Sequence, residues 1–241
     1  MNKDEEWVNH IQDLQDSLRA YAKESEISMI GFGPFSKLKD VRKLGDAPFE
    51  LPTAVCIGVE LPLDAVEDAK NRPSEKLRES YKVANKKMMV VAQGLEEMIR
   101  KAGYSTHIIH PADRVNKEDL LGPVSLKSIA RICGMGWIGK NGLIVTKDFG
   151  PRIRFLAILT DMPLIEEPLP LKNQCGDCRE CINECALKIL KEPEFEDYPI
   201  NRDSIIDWQR CGRFEAKLIG DGSRPERACG KCIAYCPRSY Q

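Results

Sequence analysis

The chain has 241 residues and a mass of 27.2 kDa, the length of one large domain or of a medium domain with a smaller appendage. Hydrophobic residues make up 42% and charged residues 30%, a balance that excludes an intrinsically disordered chain and a membrane-embedded one. Lys and Arg total 36 against 37 Asp and Glu, a formal charge of -1, so no overall basic field gathers nucleic acid and a dedicated RNA or DNA binder is disfavoured. The opening MNKDEEW has neither a basic n-region nor an apolar h-region, and no run approaches the ~18 apolar residues that cross a bilayer. The expected location is cytoplasmic, with no membrane partner.

In chain order, Trp7, Ile11, Leu14, Leu18 and Tyr21 recur at steps of four and three and predict an amphipathic helix over residues 5–24. Short β-branched runs at 54–59, 106–109, 143–146 and 153–160 predict buried strands. After Pro73, with Ser74 as N-cap, Leu77, Tyr81, Ala84, Met88, Val91, Leu95, Met98 and Ala102 keep helical spacing up to Gly103. That stripe is read as the core-facing side of one long helix rather than a dimer seam, with Met88, Met89 and Met98 as filler. Helix and strand signals intermingle to residue 161, and then MPLIEEPLPLKNQ brings three prolines and little periodicity. A domain boundary is expected there, dividing the chain into 1–164 and 165–241.

Ten cysteines are present, and eight fall between residues 175 and 241. In a chain without a secretion signal, clustered cysteines point to metal rather than to disulfides. Residues 175–185 read CGDCRECINEC, the Cys-x-x-Cys-x-x-Cys-x-x-x-Cys spacing of a ferredoxin cluster motif, and residues 229–236 read CGKCIAYC, an incomplete second copy followed by Pro237. Cys211 can replace the missing ligand. The eight then divide into Cys175, Cys178, Cys181 and Cys236 on one 4Fe-4S cluster and Cys185, Cys211, Cys229 and Cys232 on another. Two zinc sites are the rival reading, although zinc knuckles seldom use three cysteines at successive three-residue steps. Ala186 stands where ferredoxin motifs have Pro, which bears on the turn after Cys185 and not on ligation. Cys56 and Cys133 lie in apolar stretches and read as buried core thiols. His10, His107 and His110 lack metal spacing and read as structural or surface residues.

Two clusters make a wire, and the residues ahead of them must hold what the wire serves. The densest candidate is CGMGWIGKN, residues 133–141, with three glycines that let backbone approach a ligand, one Trp for stacking and one Lys for an anion. By spacing alone it is neither a dinucleotide nor a P-loop motif. The run SLKSIARICGMGWIGKNGLIVTKDFGPRIRFLAILTDMPL, residues 125–164, followed by the cysteine motif, resembles the epoxyqueuosine reductase family and the related reductive dehalogenases. The resemblance covers 125–185 closely and runs more loosely from Ala54 to Cys236. It implies an α/β (α+β) architecture: a nitroreductase-like corrinoid-binding domain with a C-terminal ferredoxin-like module carrying two clusters.

Carried over position by position, the resemblance implies that Gly134, Gly136, Trp137, Gly139, Lys140 and Asn141 lie against the corrin. Thr160 and Asp161 would end the adjacent strand, and Lys127 matches the lysine of the family's Ser-His-Lys segment, although Leu126 replaces its His. The family's acidic proton donor, in an Asp-Tyr-His run, has no counterpart near Val83, Ala84 and Asn85, and Tyr81 is the nearest hydroxyl able to donate a proton. The implied function is a cobalamin-dependent iron-sulfur reductase, with base-off cobalamin and a ferredoxin-type electron donor. Its expected substrate is a small molecule or a protein-bound group. FMN in place of the corrinoid, or a non-catalytic carrier that reactivates a corrinoid protein, are the alternatives. The helical-repeat extension and the twin-arginine leader known in parts of the family are not found in this sequence. With the missing acid and the charge of -1, this leads to the expectation that the chain does not reduce epoxyqueuosine in tRNA.

Overall fold

The computed structural model describes residues 3–38, 42–111, 113–116, 118, 121–165, 168, 171–192, 195, 199 and 201–241. Residues 166, 167, 169 and 170 of the proline-rich stretch lie outside them, so that part of the expected linker is not described. Helix α1 (Lys3–Glu24) forms as its periodicity predicts, but its buried face runs through Ile11, Gln15, Leu18 and Ala22. Trp7 is 50% exposed, and Gln15, a polar residue in the stripe, satisfies its amide by donating to the Pro163 carbonyl at 3.4 Å.

Strand β1 (Met29–Gly33) pairs antiparallel with β2 (Thr53–Glu60), placing Gly31 opposite Cys56. Helix α2 (Leu63–Asp68) leads to α3 (Glu75–Lys101). Ser74 caps α3 as predicted: its Oγ accepts the Leu77 N–H at 3.0 Å and donates to Asp68 Oδ2 at 2.7 Å. Leu77, Ala84, Met88, Val91, Leu95 and Ile99 of α3 are buried, whereas Val83 and Val90 are exposed, so the apolar stripe faces the core. Then come β3 (Thr106–Ile109), α4 (Leu126–Ile132), β4 (Trp137–Ile138), β5 (Ile144–Val145) and β6 (Ile153–Thr160). The four-stranded sheet has the order β1-β2-β6-β3, with β3 antiparallel to β6 and Thr106 opposite Thr160. β4 and β5 form a separate hairpin. The predicted strand at 143–146 is thus one arm of that hairpin, and its partner arm lies inside the glycine-rich loop.

Four short or amphipathic helices complete the chain: α5 (Glu180–Asn183), α6 (Arg202–Ile205), α7 (Trp208–Ile219) and α8 (Lys231–Ala234). The chain divides into two compact units, each assembled from three segments. The first comprises Met1–Val59, Asn85–Met135 and Phe155–Pro170; it holds the body of the four-stranded sheet, with α1 and α4 packed on β1. The second comprises Glu60–Ala84, Gly136–Arg154 and Leu171–Gln241, with α8 packed on α5 and α2. The last break falls at 170/171 rather than 164/165, and two earlier segments join the cysteine-rich end. Composition along the chain registers the proline-rich connection but is blind to segments that return to pack from a distance.

Candidate functional site

All eight clustered cysteines belong to the second unit, and Cys56 and Cys133 to the first. Cys181 lies on α5 and Cys232 on α8, each in a single helical turn of sequence Cys-Ile-x-x-Cys. Cys211 sits in the first turn of α7, whose N-cap Asp207 accepts the Arg210 N–H at 3.0 Å. Cys178 donates its N–H to the Cys175 carbonyl at 3.0 Å, which folds the first Cys-x-x-Cys into a turn.

The thiols sort themselves electrostatically. Burial pushes Cys181 up to about 12, and the neighbouring charges that add to it are those of Cys236, Cys175 and Cys178. Cys236 rises to about 11 by burial and by Cys175 and Cys178. Cys211 rises to about 11 by burial, then Glu215, Cys229 and Cys185. Burial raises Cys229 as well, with Glu215 and Cys185 adding to it. Cys232 is raised most, by burial and then by Cys229, Cys211, Cys181 and Cys185. Cys181 and Cys236 thus neighbour Cys175 and Cys178, Cys211 and Cys229 neighbour Cys185, and Cys232 senses Cys229, Cys211, Cys181 and Cys185. Among the described residues, no three His, Cys, Asp or Glu side chains converge on a single ion's coordination shell.

The hairpin β4–β5 reaches these cysteines directly. Asn173 Oδ1 accepts the Cys175 N–H at 2.8 Å while its Nδ2 donates to the Ile138 carbonyl at 3.1 Å. Lys140 Nζ donates to the Cys178 carbonyl at 3.2 Å, and Asn141 Nδ2 donates to the Cys232 carbonyl at 3.1 Å. Asn141 Oδ1 accepts the Leu143 N–H at 3.0 Å and closes the hairpin's own turn. A Cβ placed on Gly139 would lie 2.7 Å from Val145 Cγ2 and 3.0 Å from Asn141 Oδ1, so glycine suits the hairpin's own close packing, while Cys175 Sγ at 3.5 Å would be an ordinary contact.

No family model matches the chain. An epoxyqueuosine reductase from Gloeobacter violaceus is 40% identical over 126 residues, which cover 48% of this chain and 36% of that protein. A tetrachloroethene reductive dehalogenase from Desulfitobacterium hafniense is 28% identical over 163 residues, covering 62% of this chain and 26% of that one. The chain is similar in sequence to epoxyqueuosine reductases and reductive dehalogenases. Its fold matches a catabolic reductive dehalogenase with a TM-score of 0.74 at 18% identity, over 92% of this chain and 31% of that structure. It also matches an epoxyqueuosine reductase bound to an epoxyqueuosine-modified tRNA stem loop, with a TM-score of 0.60 at 20% identity, over 95% of this chain and 66% of that one. The chain thus spans less than two fifths of the two curated relatives described.

The other positions implied by resemblance are placed as follows. In the first unit, half-buried Lys127 lies on α4, buried Thr160 Oγ1 accepts the Met162 N–H at 3.0 Å, and exposed Asp161 accepts the Ser105 N–H at 2.7 Å. In the second unit, Trp137 is 2% exposed, and its indole Nε1 has no hydrogen-bond partner among the described residues. Tyr81 is half-buried with the Arg154 guanidinium 4.9 Å from its ring centroid. Burial holds the Tyr81 phenol well above its ordinary range; Arg154 opposes that shift, while Cys232, Glu215 and Cys229 add to it.

Sequence reading missed Glu215. Its Oε1 accepts the Cys229 N–H at 3.0 Å, and burial raises its carboxyl above the ordinary range. Its position four residues after Cys211, one turn along α7, was the available signal. Asn173 carried a similar signal, standing two residues before Cys175 as a side chain that turns back on the backbone. Cys56 and Cys133 are buried as expected, and the Cys133 thiol donates to the Ala54 carbonyl at 3.6 Å.

Proposed function

We propose that this chain is a corrinoid-dependent iron-sulfur reductase whose second unit is a ferredoxin-like module holding two 4Fe-4S clusters. The observation that carries the reading is the sorting of eight thiols into two groups of four beside a hairpin that bonds to both groups. Zinc would require four sulfurs about 2.3 Å from one ion, whereas a cube spreads its ligands over separate iron corners; no tight single-ion grouping occurs among the described residues. Buried thiols with raised pKa values ionise only when a cation takes the proton's place, which is what iron ligation provides.

The corrin side rests on Trp137, whose buried indole N–H has no acceptor among the described residues and so suits a bound polar group. Gly134, Gly136, Lys127, Thr160 and Asp161 are the further contacts implied by resemblance. When bound, the clusters supply one-electron steps from a ferredoxin-type donor and the corrinoid a strongly reducing cobalt centre. Tyr81 is the proton donor: burial keeps its phenol protonated, and Arg154 stabilises the charge left when the proton goes. The substrate is a small molecule or a protein-bound group rather than tRNA. Val83 stands near where the family acid is expected, and the charge of -1 offers phosphate little attraction. The complex of one structural neighbour with a tRNA stem loop makes tRNA the substrate to test against. No helix is long and apolar enough to cross a membrane among the described residues.

The test is anaerobic reconstitution followed by iron analysis and visible spectra before and after hydroxocobalamin. About eight iron atoms per chain and a shifted cobalamin spectrum are expected. Stoichiometric zinc without iron would refute the cluster assignment, and tight FMN binding without corrinoid uptake would move the flavin alternative to the front.

A further inference from the structure

We infer that Lys140 and Asn141 are positioning residues, one for each cluster, and that Lys140 also sets the reduction potential of the cube it serves. This rests on the two-cluster reading above, but it assigns these side chains to the cysteine loops rather than to a corrin. Adjacent in sequence, they diverge to opposite ligand groups: Lys140 Nζ bonds to the Cys178 carbonyl at 3.2 Å and Asn141 Nδ2 to the Cys232 carbonyl at 3.1 Å. Both are sheltered, Asn141 being 6% exposed and the Lys140 side chain 16%. Asn173 ties the same hairpin to Cys175. The hairpin is therefore a common template, and the separation of Cys178 from Cys232 is set by two neighbouring side chains.

The two contacts differ in charge, which makes them separable. A cube becomes more negative when it takes up an electron, so a nearby ammonium stabilises its reduced form. Glu192, 3.8 Å from Lys140 Nζ and also paired with Arg179 at 2.5 Å, offsets part of that charge without cancelling it. Asn141 carries no charge; its amide bridges the Cys232 carbonyl and the Leu143 N–H, so its replacement loosens a loop.

The experiment is a redox titration, followed by electron paramagnetic resonance, of the full chain with both clusters reconstituted. Cys178→Ser and Cys232→Ser proteins assign each signal to its cube. Lys140→Met should make the Cys178 cube harder to reduce, by about tenfold in the oxidised-to-reduced ratio at fixed potential, or ~59 mV for a one-electron couple. The other midpoint should stay in place, and Lys140→Arg should restore both. Asn141→Asp, which keeps the acceptor for Leu143 but faces Cys232 with an acceptor instead of a donor, should speed iron loss to a chelator from the Cys232 cube alone. Midpoints that do not move, two midpoints that move together, or loss of both cubes on Lys140→Met would overturn the inference while leaving the two-cluster reading intact. A wild-type protein without iron would overturn both.

Discussion

A methyl group added at Gly230 and, separately, at Gly176 makes the same change twice in nearly the same sequence, Cys-Gly-Lys-Cys and Cys-Gly-Asp-Cys. Both glycines occupy the left-handed region, with φ of +63° and +48°. Each alanine therefore meets a backbone penalty of roughly 1–2 kcal/mol. The surroundings differ. Among the described residues nothing lies within 4 Å of a Cβ built on Gly176, whereas one on Gly230 would overlap Leu77 Cδ2 and sit 3.2 Å from Ala69 Cβ. Leu77 is fully buried, so relieving that overlap adds about 1–3 kcal/mol. Gly176→Ala should then destabilise the folded holoprotein by about 1–2 kcal/mol and Gly230→Ala by about 2–5 kcal/mol. Anaerobic denaturant unfolding read by circular dichroism, with released iron measured alongside, supplies both numbers. Equal losses at the two sites, or a larger one at Gly176, would refute the packing described around α8.

Cys178→Ser should lower the iron content from about eight to about four per chain, while the Cys56→Ser, Cys133→Ser double variant should retain all of it; iron loss in the double variant would break the ligand assignment. With no histidine between Gly134 and Asn141, bound cobalamin should be base-off, and its Co(II) resonance should lack nitrogen superhyperfine splitting. Tyr81→Phe should lower turnover by about 10²–10⁴-fold without weakening cobalamin binding; a rate within a few-fold of wild type would remove Tyr81 from the chemistry. Expressed with its cofactors in a bacterium lacking epoxyqueuosine reductase, the chain should not restore queuosine in tRNA, and restoration would overturn the substrate assignment.

The gathering of eight cysteines in one unit was legible because their spacing is local, and the Ser74 cap because capping is equally local. Strand β1 escaped notice: its five residues include Gly31 and Gly33, poor strand formers that are present because Cβ atoms there would run into the backbone of Cys133 and Ile132. β4 was hidden for a related reason, since Trp137 and Ile138 sit between glycines and read as loop. The resemblance directed Lys140 and Asn141 toward a corrin, and only coordinates could reveal partners 38 and 91 residues away in the chain. Trp7 illustrates the converse error, a helical period correctly recognised with its first member left in solvent.

The interleaving of the two units limits how this chain can be synthesised and dissected. Neither is continuous: the second needs residues from Glu60 onward and is finished only at the C-terminus, with Arg152 donating to the Ser239 carbonyl at 2.9 Å and to Glu60 Oε2 at 2.6 Å. During translation, the segments 60–84 and 136–154 must wait for the cysteines, holding apolar surface that later packing will cover. A fragment cut to contain only residues 171–241 would keep all eight thiols yet lack Lys140, Asn141 and Arg152. The cysteine-rich end of this protein is therefore not a portable cassette, and grafting it onto another scaffold would require three stretches of chain rather than one.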